Sequence, residues 1–209
     1  MTGKPVLYGY SPSTYVRTAR MVLADNDVDY DQVAIDVLAG ETRQPEHLAR
    51  HPFGKVPVLD IDGIRLRETD PICRYIDETR DGPSVIPTDA KQRAKMNEAI
   101  CLYGAYGYGA LLGLAAYHLF PDFIGGKNDA LRELEFEDSQ KLLGLLMENA
   151  DPWIVGSKAT LADYFLGPVI FYVAMTPDAG RMLALPGVGR WWEAMQAHET
   201  FKATEPDLG

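Results

Sequence analysis

The chain has 209 residues and a formal net charge of −10, and 46% of its residues are hydrophobic. This composition is typical of a soluble globular protein with one large or two small domains. The acidic excess argues against a nucleic-acid partner, because phosphate backbones are bound by clustered Lys and Arg. No apolar run approaches the roughly 20 residues of a membrane span, and Met1 to Pro5 lacks a signal-peptide core. We therefore expect a cytoplasmic protein without membrane contact.

The two cysteines, Cys73 and Cys101, lie in separate helix-like stretches and have neither metal-ligand nor Cys-x-x-Cys spacing. A disulfide framework, a zinc site and a dithiol redox site are therefore not expected. The sequence indicates no metal cofactor.

The first part of the chain begins with a strand, a helix and a second strand. Val6 to Tyr8 predicts the first strand, and turn and capping residues follow from Ser11 to Thr14. Apolar residues at helical spacing then run to Leu23, and residues 30–37 predict the second strand. This βαβ order implies a parallel pair of strands.

A short helix is expected after Pro45, before a hairpin. Asp62-Gly63 between apolar residues is a strong signal for a two-residue hairpin turn. A third helix is predicted to begin near Thr69, with Pro71 at an early helical position. The complete order βαβαββα predicts an α+β domain of thioredoxin-like architecture.

Only helical patterns follow the first eighty residues. Residues 1–80 are interpreted as the thioredoxin-like domain, 81–90 as a linker and 91–209 as an all-α helical domain. Thr160 to Asp163 resembles a capping box before an apolar run.

Several motifs of the first half occur together in the order found in the glutathione transferase family, which the sequence resembles. They are Leu7-Tyr8-Gly9 with Ser13-Thr14 and Arg17, His51-Pro52-Phe53-Gly54-Lys55-Val56-Pro57, Glu68-Thr69, and Ile72-Cys73-Arg74-Tyr75-Ile76. The pattern is similar to the phi-like, serine-using classes, which are also found among bacterial relatives. The resemblance implies a cytoplasmic homodimeric enzyme of detoxification that takes glutathione as co-substrate.

Thiol activation is the chemistry that the resemblance assigns to the first helix. The thiolate of glutathione is the nucleophile, and a hydroxyl that donates to it lowers the thiol pKa. Ser13 matches the family's serine, although a plain helix cap would need the same residue. Tyr8 and Thr14 are the alternatives, and Arg17 is expected to stabilise the thiolate. Ser11 is a further neighbouring hydroxyl and a rival for the same role.

Glutathione binding is assigned to three segments by the same resemblance. Val56-Pro57 matches the family's cis Val-Pro, whose Val backbone pairs with the peptide. Thr69 is expected to hold the γ-glutamyl carboxylate at a helix N-terminus and Glu68 the amine. Arg43 and Lys55 are expected at the glycyl carboxylate.

The aromatic residues Tyr103, Tyr106 and Tyr108 alternate with glycines and are candidates for an electrophile pocket. The same small residues could instead let two helices pack closely, and the sequence does not decide between these readings. The leading function is addition of glutathione sulfur to a hydrophobic small-molecule electrophile. The alternatives are a non-catalytic binding or assembly module, a ligand carrier, and a regulatory protein on the same fold.

Overall fold

A computed structural model describes residues 3–208. Met1, Thr2 and Gly209 lie outside the described residues. Met1 and Thr2 belong to the N-terminal stretch that was examined for a signal peptide. The chain forms two compact units. The first contains the residues up to Ser84 together with the C-terminal segment from Glu199, and the second is Val85–His198.

The first unit is built on a four-stranded sheet whose order is β2-β1-β3-β4. Its strands are β1 (Val6–Tyr8), β2 (Asp31–Val33), β3 (Val58–Ile61) and β4 (Ile64–Arg67). β1 pairs with β2 in parallel, and both pairs that involve β3 are antiparallel. The predicted thioredoxin-like arrangement is confirmed.

In chain order the helices are α1 (Thr14–Asp25), α2 (Pro45–Arg50), α3 (Thr69–Thr79), α4 (Ala90–Leu102), α5 (Tyr108–Leu119), α6 (Asp129–Met147), α7 (Leu161–Ala174), α8 (Ala179–Leu183), α9 (Val188–Ala197) and α10 (Glu199–Ala203). Two 3-10 turns (Glu41–Arg43 and Pro121–Ile124) and a π-helical segment (Tyr103–Gly107) lie between them.

Local sequence explains the elements of the first unit. Ser13 caps α1, and Pro45 begins α2, as the sequence predicts. The hairpin turn places Asp62 at φ = 50° and Gly63 at φ = 80°, which is the conformation expected of an Asp-Gly turn. β2 covers only three residues of the predicted 30–37, because this edge strand is exposed along its whole length.

The core of the first unit lies between the sheet and the helices α1 and α3. Leu7 and Leu59 point into it from neighbouring strands, and both are fully buried. Val16 of α1 and Ile72 of α3 are also fully buried, and α1 packs on α3. This packing fixes the N-terminal ends of both helices next to the strands.

The domain boundary differs from the sequence-based interpretation at the C-terminus. Residues 199–208 belong to the first unit, although the sequence assigned 91–209 to the helical domain. α10 packs on α1, and its Phe201 is only 4% exposed. The prediction was wrong for this segment because a helical pattern does not reveal which domain a helix packs against.

The second unit is entirely helical within its described residues. Thr160 and Asp163 form the predicted capping box at the start of α7. Asp163 also accepts hydrogen bonds from the Ile154 N–H at 3.0 Å and from Trp191 Nε1 at 2.9 Å. The buried carboxylate therefore joins the start of α7 to α9 and to the preceding loop.

A continuous helical stretch runs from Ala90 to Leu119 through the π-helical segment. Its length and composition would be sufficient to cross a membrane, contrary to the expectation from the sequence. The apolar part of the stretch is 44% buried within the protein, and the core helix of a soluble protein has the same properties. Within the helical unit, α5 packs on α6 and α7, and α4 packs on α7.

Candidate functional site

Ser13 lies at the junction between the β1–α1 loop and helix α1. Its Oγ accepts a hydrogen bond from the backbone N–H of Val16 at 3.4 Å, which is the geometry of a helix cap. Because the oxygen is the acceptor in this bond, the hydroxyl hydrogen can still be donated to a ligand. The cap and the predicted thiol-activating role are therefore compatible in one side chain.

The Tyr8 phenol is hydrogen-bonded to a side chain of the neighbouring strand β3. Its hydroxyl donates to Asp60 Oδ2 at 3.4 Å, and the Arg50 guanidinium lies 4.5 Å from the centre of its ring. Arg65 donates to both oxygens of Asp60 at 2.6 Å. These bonds from Arg65 hold the pKa of Asp60 below its ordinary value. Tyr8 is thus tied into an ionic cluster of the sheet.

The hydroxyls of Thr14 and Ser11, which neighbour Ser13, differ in their surroundings. Thr14 begins α1 and is buried. Ser11 is half-buried, and its Oγ accepts a hydrogen bond from Arg20 Nη1 at 3.0 Å. Ser11 and Ser13 are therefore the more accessible hydroxyls of the loop.

Arg17 does not have the position that its predicted role requires. The side chain is 2% exposed, and its Nη2 donates to the backbone oxygen of Phe201 at 2.7 Å. The guanidinium also lies 3.8 Å from the centre of the Phe201 ring. Arg17 binds the C-terminal segment, so the assignment of this residue to the thiolate is corrected to a structural one.

The Val56-Pro57 peptide bond is cis, as the sequence predicts. It directly precedes β3, and Pro57 is buried whereas Val56 is partly exposed. His47 of α2 bonds through Nε2 to the backbone oxygen of Lys55 at 2.8 Å. Helix α2 therefore holds the segment that leads into the cis peptide.

Glu68 and Thr69 form the start of α3. Glu68 has φ = 69° and ψ = 138°, a conformation that residues other than glycine rarely adopt. Its Oε1 accepts a hydrogen bond from Nε2 of the buried His51 at 3.3 Å. Thr69 is buried at the first helical position, where the N-terminal N–H groups of a helix favour anions.

Asp70 would weaken an adjacent carboxylate site if its charge were uncompensated. Arg74, one helical turn further along α3, donates to both oxygens of Asp70 at 2.8 and 2.9 Å. The ion pair offsets the acidic charge, so Asp70 is compatible with the predicted anion site at Thr69.

Two exposed cations, Arg43 and Lys55, lie on the loops predicted for the glycyl carboxylate. Arg43 ends the 3-10 turn and donates weakly to the backbone oxygen of Phe53 at 3.5 Å. Gly54, at φ = 61°, lies so close to the Thr42 backbone oxygen that a Cβ there would be 2.7 Å from it. The two loops therefore touch through backbone, which brings Arg43 and Lys55 to the same region of the first unit.

Both halves of the chain match models of one family. The glutathione S-transferase N-terminal domain model matches residues 7–84, and the glutathione S-transferase C-terminal domain model matches residues 111–199. The chain belongs to the glutathione S-transferase family. It is an enzyme of this class, with glutathione as its co-substrate.

Relatives of this transferase carry two kinds of name. Probable maleylacetoacetate isomerase 1 of Drosophila melanogaster is 31% identical over 97% of this chain and 82% of its own. Glutathione S-transferase 3 of Zea mays is 31% identical over 95% of this chain and 91% of its own. The crystal structure of glutathione transferase F7 from Populus trichocarpa superposes with a TM-score of 0.85 at 25% identity, over 96% of this chain and 97% of that one. The comparisons therefore support glutathione transferase or isomerase chemistry.

The three tyrosines predicted for the electrophile pocket of the transferase have unequal positions in the helical unit. Tyr103 is 2% exposed, and its ring packs against those of Phe165 and Tyr108. Tyr106 is 72% exposed, and Tyr108 is half-buried. Tyr103 is a core residue of the helical unit, so its assignment to the wall of an open pocket is corrected.

The glycines next to these tyrosines differ in their surroundings. A Cβ on Gly107 would overlap Cδ2 of Leu142 in α6, whereas a Cβ on Gly104 or Gly109 would meet no other atom within 4 Å. Close helix packing is thus the reason for a glycine at position 107. The π-helical segment from Tyr103 to Gly107 coincides with this contact.

Three features of the transferase's site escaped the sequence analysis. They are the hydrogen bond from Arg20 to Ser11, the bond from His51 to Glu68, and the attachment of the C-terminal segment to α1. The His51 position carried a signal, because it begins the His-Pro-Phe-Gly motif. The attachment of the C-terminal segment depends on contacts across 184 residues of sequence. The bond from Arg20 to Ser11 spans nine residues, and periodicity reveals neither contact.

Proposed function

We propose that this enzyme is a serine-type glutathione transferase that adds the glutathione sulfur to a small apolar electrophile. The observation that carries the proposal is the position of Ser13. Its Oγ accepts the N–H of Val16 and retains a hydrogen to donate, whereas the rival phenol of Tyr8 donates to Asp60.

The proposed reaction depends on stabilising the negative charge of the glutathione thiolate. A thiol with a pKa near 8.5 is mostly protonated at neutral pH, and a hydroxyl that donates to the thiolate favours the charged form. The N-terminal end of the 12-residue helix α1 adds a partial positive charge beside the same hydroxyl. The thiolate then attacks the electrophile, and the group that leaves takes the bonding electrons with it.

The remaining residues of the site would orient the tripeptide. Thr69 and the N-terminus of α3 offer donors to the γ-glutamyl carboxylate, and Glu68 offers an acceptor to the amine. The Val56 backbone offers strand-like hydrogen bonds to the peptide. Arg43 and Lys55 would hold the glycyl carboxylate. Such fixed placement lowers the entropic cost of bringing the two reactants together.

A second candidate reaction is glutathione-dependent cis–trans isomerisation. The 31% identity with a probable maleylacetoacetate isomerase over nearly the whole chain favours it. In this reaction the thiolate would add to one end of a conjugated double bond and leave again after rotation, so glutathione would not be consumed. The same activated thiolate serves both reactions, and only the second substrate differs.

We also infer that the transferase is a cytoplasmic homodimer. The family relationship supports both properties. Light scattering on the purified chain gives the mass directly, and a monomeric mass near 23.2 kDa would contradict the dimer.

The proposal is tested by titrating the thiol of bound glutathione through its thiolate absorbance, together with turnover of a chloro-nitroaromatic substrate. Replacing Ser13 by Ala removes one hydrogen bond to a charged group, so we expect about 10–100-fold lower turnover and a higher thiol pKa. Tyr8→Phe is the matched control. It should change turnover by less than about threefold and the thiol pKa by less than about half a unit. If Tyr8→Phe abolishes turnover and Ser13→Ala does not, the phenol is the activating group.

Glutathione consumption separates the two candidate reactions. Conjugation uses one glutathione for each electrophile, whereas isomerisation of a cis-enone diacid leaves the glutathione concentration unchanged. If the native chain binds glutathione and turns over neither substrate class, the reaction is not one of these two.

A further inference from the structure

Arg20 connects the loop that carries Ser13 to the C-terminal segment. It belongs to α1, and its Nη1 donates both to Ser11 Oγ at 3.0 Å and to the backbone oxygen of Thr204 at 3.3 Å. All three residues belong to the first unit. The arginine that reaches a hydroxyl of the loop is therefore Arg20, which binds Ser11, whereas Arg17 binds Phe201.

The charge of Arg20 is not neutralised by an ion pair. Among the residues that the structure describes, no carboxylate lies within 4.0 Å of its guanidinium, in contrast to Arg65 and Arg74. Its Nε is buried and has no hydrogen-bond partner within the same described part of the chain. An uncompensated cation of this kind favours a negative charge nearby and disfavours a second positive one.

The bond to Ser11 changes what this hydroxyl can do. Ser11 Oγ accepts from a charged donor, which leaves its hydrogen for a second acceptor and polarises the O–H bond. Ser11 precedes Ser13 by two residues, in the loop that leads to the N-terminal end of α1. A thiolate held by Ser13 would lie next to this loop.

We propose that Arg20 is a positioning residue of the reaction, which orients and polarises Ser11 as a second hydroxyl donor to the glutathione thiolate. This inference rests on the proposed function. The C-terminal segment takes part through the Thr204 backbone oxygen, which holds the guanidinium at Ser11. The loop that contains Ser11 and the C-terminal segment that contains Thr204 would thus both contribute to stabilising the glutathione sulfur.

The experiment is a double-mutant cycle read by the pKa of the bound glutathione thiol. Arg20→Gln and Ser11→Ala are each expected to raise this pKa by about one unit, which lowers kcat/KM about tenfold at acidic pH. The loss should vanish at alkaline pH, where the thiol is ionised in every variant. The KM for glutathione should stay within about twofold, because neither side chain binds the peptide's charged ends.

The double variant decides whether Arg20 acts through Ser11. If it does, Arg20→Gln together with Ser11→Ala raises the thiol pKa no further than either change alone. Arg20→Lys, which keeps the charge and a donor, should restore most of the native value. Additive shifts, or a native pH profile in the Arg20→Gln variant, would overturn the proposal.

Thr200→Val is the control for loosening of the C-terminal segment. The Thr200 hydroxyl donates to Asp25 of α1. Its backbone oxygen accepts from Thr204, and the Val variant keeps this bond. Its replacement should lower the melting temperature slightly and leave the thiol pKa unchanged. An equal pKa shift in Thr200→Val would assign the effect to general loosening and overturn the inference. If Arg20→Gln does not fold, Ser11→Ala decides alone, since a native thiol pKa in that variant overturns the inference.

The outcomes distinguish this inference from the proposed function. A native thiol pKa in Ser13→Ala, combined with a raised pKa in Arg20→Gln, contradicts the role of Ser13 and supports that of Arg20. The reverse combination contradicts Arg20 alone. Failure of the native chain to bind glutathione would overturn both.

Discussion

Glu68 is held at φ = 69° although it has a side chain, and it immediately precedes the helix at whose start the γ-glutamyl group is proposed to bind. Backbone in this region costs about 1–3 kcal/mol for residues other than glycine. The surrounding contacts maintain it, among them the hydrogen bond from the buried His51. The strained backbone of Glu68 thus lowers the stability of the protein, while its carboxylate is placed at the start of the helix.

Glu68→Gly separates these two properties. Glycine adopts this conformation without strain, so we expect the Gly variant to be about 1 kcal/mol more stable than Glu68→Ala. Both variants lose the carboxylate, and the KM for glutathione should rise about tenfold in each. Chemical denaturation and steady-state kinetics measure the two effects. Equal stability of the two variants would show that the backbone is not strained at this residue.

At the scale of elements, the helix junction around the π-helical segment is set by close packing. Helix propensity alone predicts that Gly→Ala stabilises a helix by about 1 kcal/mol. At Gly107 the added Cβ would overlap the buried Leu142, so we expect a loss of about 1–3 kcal/mol instead. Gly109→Ala, which has open space, is the matched control and should gain stability. Urea denaturation of both variants tests this, and a gain in both would exclude the packing explanation.

A second contact between elements ties α6 to the start of α8. Asp178 is buried and accepts hydrogen bonds from Arg132 and from His118. Burial raises the pKa of Asp178, but the bonds from Arg132 and His118 outweigh it and hold the pKa below its ordinary value. A lowered folded-state pKa contributes stability above the unfolded pKa, and this contribution is lost as the pH falls through the folded pKa.

We therefore expect Asp178→Asn to cost about 3 kcal/mol at pH 7. The cost should fall below about pH 4, where the carboxylate of the unfolded chain becomes protonated, and the ionic contribution is lost once the pH passes below the lowered pKa of the folded state. Asp138→Asn breaks the exposed pair with Lys141 and should cost less than about 1 kcal/mol at either pH. Denaturation curves at both pH values give the comparison. A pH-independent difference between Asp178→Asn and the native chain would contradict the assignment.

At the scale of the whole molecule, the two ends of the chain form one compact unit. Phe201 is buried, and its ring and backbone oxygen hold the buried guanidinium of Arg17 in α1. The stability of the glutathione-binding unit therefore depends on residues that follow the helical unit in sequence. Truncations at the C-terminus should affect glutathione binding for this reason.

Phe201→Ala should destabilise the protein by about 3 kcal/mol, because it removes a buried ring and the surface on which the Arg17 cation rests. Lys202→Ala, at the exposed neighbouring position, is the control and should change stability by less than about 0.5 kcal/mol. Thermal unfolding with and without glutathione measures both. Equal melting temperatures of the Phe201→Ala and Lys202→Ala variants would contradict the proposed attachment of the C-terminal segment to α1.

The sequence by itself determined the family motifs and the order of the strands and helices within the first eighty residues. Val6 to Tyr8, the Asp62-Gly63 turn and the Thr160–Asp163 capping box are local signals, since each depends on residues within a few positions. The candidate residues Ser13, Glu68 and Thr69 could be named before their geometry was known because they match the family's motifs.

Tertiary structure alone decided which side chains meet. Arg17 and Arg20 lie on the same helix, and nothing local indicates that one binds Phe201 while the other binds Ser11. The phenol of Tyr8 is likewise assigned to Asp60 by strand pairing across 52 residues. Such partners depend on packing between distant segments, because a local pattern fixes which face of an element is buried and leaves open what covers it.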